Sequence, residues 1–156
     1  MDTADGVVND ESDNGGLPFV DEHTVIVAAS RELVWTALHR YVVTSLCAGE
    51  GSAFTKILGT QPPSGFEISE SRPFERLAIA GRHRFSHYRL VFHLRDASDG
   101  TTQVIAETFA AFPGVQGRIY RALVIGTRAH VVAVHHMLRS IRRLTIEVTA
   151  AGDPPT

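Results

Sequence analysis

Apolar and polar residues alternate one for one from position 86 to 95. Tyr88, Leu90, Phe92 and Leu94 take one side of an extended chain, and His87, Arg89, Val91, His93 and Arg95 take the other. A strand with one buried face and one largely wet face has this period. Ser98-Asp99-Gly100 supplies a turn, and residues 101–112 return as the partner strand. The turn length sets the facing of that partner: two residues place Ile105, Glu107 and Phe109 with the apolar set, three place Val104, Ala106 and Thr108 there. Beyond Pro113-Gly114 the period changes. From 115 to 144, Ile119, Leu123, Val134, Met137 and Ile141 fall within about 60° of one another at 100° per residue. Arg118, Arg121, Arg128, Arg139, Arg142 and Arg143 fall on the opposite side. The pattern predicts one long helix lying on a core by one face, with His130 in the middle of the apolar stripe.

The first half reads less regularly. Residues 19–28 carry Val20, Thr24, Ile26, Val25 and Val27 and read as a strand. Ser30 is a helix cap whose hydroxyl suits the orphan amides of the first turn, and Glu32 complements the helix dipole. Leu33, Val34, Ala37, Leu38, Tyr41 and Val42 then recur at helical spacing, predicting a helix to about Leu46. Gly49-Glu50-Gly51 lacks the third glycine and the Lys-Ser or Lys-Thr pair of a phosphate loop and reads as a flexible turn. Short strands are expected at 54–59, 65–71 and 75–80, separated by Pro62-Pro63 and Pro73.

The expected organisation is a single α+β domain over 18–148, flanked by a disordered acidic tail (1–17) and a flexible tail (149–156). At 156 residues and 44% hydrophobic composition the chain can bury a core unaided. A single cysteine, Cys47, excludes an internal disulfide framework and makes a reducing, cytoplasmic setting the expected one. The start carries Asp2, Asp5, Asp10, Glu11 and Asp13 with no basic residue, unlike a signal peptide. No apolar run approaches the roughly 20 residues of a membrane span. The net charge of −2 hides an asymmetry: residues 23–146 hold fifteen basic and eight acidic side chains, a formal +7. Such a surface attracts anions. The arginines lack interleaved exposed aromatics and a recognition motif, so nucleic acid is not an expected partner.

His130 is the leading chemical candidate, because an imidazole on a buried face costs free energy unless its nitrogens find partners. Tyr88, Thr127 and Glu107 are candidate partners. The other histidines do not form a metal site: His135 and His136 point about 100° apart on a helix, and His83 and His87 lie in a loop-to-strand segment. No cofactor motif is present. Cys47 has no histidine companion, and no Gly-x-Ser-x-Gly elbow occurs. Arg82-His83-Arg84 is a short basic cluster that suits an anionic head group or plain solvent. Ile125 and Val132 point from the arginine face and nominate a homodimer or partner contact.

The order of strand, helix, several antiparallel strands and long final helix resembles the helix-grip fold of the START-like (SRPBCC) superfamily, which includes polyketide cyclases, pathogenesis-related allergens and lipid-transfer domains. The resemblance rests on Val27-Ala28-Ala29-Ser30 running into Leu33-Val34-Trp35-Thr36-Ala37-Leu38, on Asp99-Gly100-Thr101, and on Gly117-Arg118-Ile119-Tyr120. It covers most of residues 19–146. It implies a curved antiparallel sheet wrapped around the last helix, with an apolar cavity between them lined by Tyr88, Leu90, Phe92, Leu123, Thr127, His130 and Val134. The leading expectation is a module that binds a small hydrophobic or amphipathic molecule. A cyclase or dehydratase-like enzyme with His130 as acid or base is the second, and a regulatory interaction module without ligand the third.

Overall fold

The computed structural model describes residues 15–47, 60–61, 66–83, 86–124 and 128–151. Strand β1 (Phe19–Val27) is followed by helix α1 (Arg31–Tyr41), whose last turn widens to a π-helix over Val42–Cys47. Strands β2 (Thr60–Gln61), β3 (Glu67–Arg72), β4 (Arg76–His83), β5 (His87–Asp96) and β6 (Thr102–Ala111) follow. Helices α2 (Gly114–Val124) and α3 (Ala129–Ala151) complete the chain. The six strands form one curved antiparallel sheet in the order β1-β6-β5-β4-β2, with β3 also paired to β4. The strand expected at 54–59 and the Gly49-Glu50-Gly51 turn lie outside the described residues. Among the described residues no helix is long and apolar enough to cross a membrane.

The facing of β6 is decided by its turn. Ala97 and Thr101 close a three-residue loop, Ala97 N–H donating to Thr101 O at 2.9 Å. Asp99 and Gly100 both take positive φ, 59° and 71°, a conformation that Gly and Asp tolerate better than most residues. Leu94 therefore pairs with Val104, Phe92 with Ala106 and Leu90 with Thr108. Directly opposed residues share a face, so the concave side carries Val104, Ala106 and Thr108, and Glu107 and Phe109 go to the convex side.

The concave face is the main core. Phe92, Leu77, Ile79 and Val104 are fully buried, and Leu90 and Leu94 nearly so, under Leu38 and Val34 of α1 and Met137, Leu138 and Ile141 of α3. The convex side of β5 departs from the expected wet face. Val91, Ala78 and Phe109 form a second buried cluster covered by Leu17. Chain pairing explains it: Ala110 N–H donates to Pro18 O at 3.0 Å, which holds the entering segment on the outer face.

Three further local expectations are corrected. The helix expected over 115–144 is two helices, with Arg128 at φ 55° just before α3 begins. A left-handed residue ends a helix, so the wheel's phase does not carry across it. Within α3 the stripe holds, with Val134, Met137 and Ile141 buried and Val132 exposed; in α2, Ile119 is 60% exposed instead of facing inward. Ser30 makes no side-chain bond to the first-turn amides. Its hydroxyl bonds the Glu32 carboxylate, which also accepts from its own backbone N–H, and both bonds lower the Glu32 pKa. α3 continues to Ala151, past the expected boundary at 148.

Candidate functional site

β1 alternates like any strand, and its register with β6 puts Asp21, His23, Val25 and Val27 on the concave face, opposite Thr108, Ala106, Val104 and Thr102. Val25 and Val27 extend the core, whereas Asp21 and His23 bring polar groups to the end of it. Asp21 Oδ2 lies 3.1 Å from His23 Nε2, with the two side chains about one-fifth exposed. His135 of α3 closes over them, its ring centroid 4.6 Å from that of His23 at an interplanar angle of 59°. Beside this pair, Thr108 Oγ1 is buried with no hydrogen-bond partner among the described residues. Tyr88, one place beyond Leu90 on the same face, stands edge-on to Phe66 at 4.9 Å.

The chemistry available at this end is specific. A carboxylate held on one imidazole nitrogen orients the ring and fixes its tautomer, leaving Nδ1 for a second partner. A threonine hydroxyl both donates and accepts. The arrangement can orient a single carbonyl, hydroxyl or amine at the polar end of an otherwise apolar face. Among the described residues no group of three or more His, Cys, Asp or Glu side chains is gathered as metal ligands require. Burial, and then the nearby Glu67 carboxylate, raise the Cys47 thiol pKa above its ordinary 9.0, so the thiolate nucleophile is disfavoured.

The residues nominated from sequence are spread over this frame. Leu90, Phe92 and Val134 are buried in the main core, at 6%, 0% and 6% exposure, and Tyr88 is half-buried. Leu123 falls in α2 and His130 in the first turn of α3, but their side chains lie outside the described residues, as do Thr127 and Ile125 altogether. Glu107, a candidate partner of His130, instead sits on the convex face, 3.1 Å from His93 Nε2. Arg82 is exposed at the end of β4, and Arg84 lies outside the described residues.

The groups that the sequence reading missed are Asp21, His23, Thr108 and His135. A signal for the first two existed: residues two apart on a strand share a face, so Asp21-x-His23 juxtaposes a carboxylate and an imidazole. The other two arrive through sheet register and helix packing.

No protein-family model matches the chain, and no curated protein matches it. Solved structures do. Truncated norcoclaurine synthase from Thalictrum flavum aligns with 84% of this chain and 97% of its own at a TM-score of 0.52 and 14% identity. A point mutant of the same enzyme, in complex with a transition-state analogue, gives 0.52 at 12% identity over 84% and 98%. The Zhui aromatase/cyclase from Streptomyces sp. R1128 gives 0.46 at 15% identity over 88% and 99%. At such identities the likeness is one of fold: a curved antiparallel sheet gripping a long C-terminal helix.

Proposed function

We propose that this chain, which has the helix-grip fold of the START-like superfamily, binds a small hydrophobic or amphipathic molecule at the polar end of the concave face. One observation carries the reading: the buried hydroxyl of Thr108, without a hydrogen-bond partner among the described residues, beside the Asp21–His23 pair. A buried hydroxyl without a partner costs about 1–3 kcal/mol, which a ligand's polar group offsets on binding. Apolar side chains on either side supply the affinity: burying about eight methylenes contributes roughly 6 kcal/mol before association costs. That amounts to at best tens of micromolar, so selectivity falls to the polar groups.

Thr108→Val tests it, since valine keeps the shape and removes the hydroxyl. Titration with two fluorescent probes of one skeleton, with and without a ketone, should show the ketone probe weakened about tenfold and the hydrocarbon probe unchanged. Uptake of neither probe by the wild type, or equal weakening of both, overturns the reading. The Asp21–His23 pair favours a second reading, a cyclase or dehydratase-like enzyme in which His23 exchanges a proton with the bound molecule. Consumption of the bound ligand by wild type and not by His23→Gln, at undiminished binding, distinguishes it from simple carriage.

A further inference from the structure

A different recess lies at the far end of the sheet, where β5 finishes, the β3–β4 hairpin turns and α1 begins. It is open, has a volume of roughly 330 Å³, and is lined by Arg31, Arg72, Arg76, Arg95, Glu75 and His93 together with Leu94. Thr108 and Asp21 are level with Leu90, about 13 Å along β5 from residue 94, and they face the concave side, whereas His93 and Arg95 face the convex side. The recess shares no lining residue with the Asp21, His23 and Thr108 group and does not depend on what binds there.

Its guanidiniums are unequally compensated. Glu70 is shared by Arg72 at 2.9 Å, Arg89 at 3.1 Å and Arg76 at 3.6 Å, and its side chain is 17% exposed. Arg31 meets Asp96 only at 3.4 Å, and Arg31 Nε is buried without a hydrogen-bond partner among the described residues. No ion pair of Arg95 occurs among the described residues. The lining itself holds four guanidiniums and one carboxylate, Glu75; Glu70 serves Arg72 and Arg76 from beside it, and Asp96 and Glu32 flank Arg31. Arg76, only 8% exposed, is packed in place at the base of this group, so part of the charge is built into the fold.

We propose that this recess is a binding site for a phosphate-class dianion, a phosphate monoester or diphosphate. Planar guanidinium forks match the oxygens of phosphate in two-point contact, and a charge of about −2 offers the four lining guanidiniums more than a monoanion does. Arg31, at the first position of α1, brings its own donors to the rim of the recess. A carboxylate offers two oxygens and one charge and satisfies fewer of these groups.

The test is calorimetric titration of the full chain with inorganic pyrophosphate, inorganic phosphate and acetate. Arg31→Gln and Arg95→Gln are compared with Arg142→Gln, an exposed arginine of α3. Expected are saturable binding at millimolar or lower ligand, pyrophosphate tighter than acetate, a loss of about tenfold or more in each recess variant, and no change in Arg142→Gln. Co-sedimentation with phosphatidylcholine vesicles, with and without phosphatidate, separates sources. Arg95-dependent retention on phosphatidate vesicles makes a lipid headgroup the source of the same phosphate chemistry, and its absence alongside pyrophosphate binding makes a free phosphate compound the source. No saturable pyrophosphate binding by the wild type, or equal loss in Arg142→Gln, overturns the site. Because the recess variants leave the concave face untouched, hydrophobic-probe uptake in them separates failure here from failure of the ligand-binding reading.

Discussion

The two faces of the sheet are built from the same strands and do opposite work. On the concave side, Phe92, Leu77, Ile79 and Val104 lose all contact with water beneath two helices; Thr102 at one end donates its hydroxyl to Ala29 O, and Asp21, His23 and Thr108 gather at the other. On the convex side, three buried residues, Ala78, Val91 and Phe109, form a small patch under Leu17, and the strands otherwise carry Glu70 with its arginines and the His93–Glu107 pair. A sheet face covered by a helix can be apolar throughout, whereas one covered only by a short chain segment holds together through charge pairs that stay near water. The concave side supplies stability and an apolar surface; the convex side and its edges supply charge.

Truncating each face measures the difference most directly. Phe92→Ala should cost about 3–5 kcal/mol, and Val91→Ala, its neighbour pointing the other way, about 2. Equilibrium denaturation of the two variants checks the ratio, and equal costs would make the convex patch a second core of equal rank.

Glu70→Gln comes next. It leaves Arg76 and Arg89, whose side chains are 10% and 15% exposed, without their shared carboxylate. A loss of about 1–3 kcal/mol is expected, short of the 3–5 typical of a fully buried pair because Glu70 remains partly wet. A thermal melt unchanged from wild type would show that water does the work of the carboxylate. The same variant should sharpen the anion site, since removing one negative charge tightens pyrophosphate.

The smallest effect concerns pH at the seam between α1 and α3. Burial raises the Tyr41 phenol above its ordinary 10.0, opposed by a hydrogen bond with Ser140. A raised folded-state pKa means the native state holds the proton more tightly. This contribution is fully present below pH 10 and is lost as the pH rises through the folded value. Stability measured from pH 9 upward should therefore fall more steeply in wild type than in Tyr41→Phe, with the two curves parallel below that range.

Much of this molecule follows from nearest neighbours in sequence. The alternation of β5, the helical spacing of α1, the Asp99-Gly100 turn and the stripe Val134, Met137 and Ile141 are periodic signals a few residues long, and each became the element it predicts. The candidate site was legible only in part: Asp21-x-His23 was visible as a same-face pair, but nothing local says that His135 packs over it or that Thr108 lies opposite.

The sequence by itself determined which segments are strands and helices and which side of most of them is apolar, because period-2 and period-3.6 burial are set within one element. The tertiary structure alone decided the facing of β6, where one residue of turn length exchanges every side chain between faces. It also decided the break at Arg128, the covering of Val91 by Leu17, and the gathering of three arginines on Glu70. The first two hang on the conformation of one or two residues, which no period specifies, and the last two on which distant segment arrives across the sheet, where pairing leaves no period in the chain to be read.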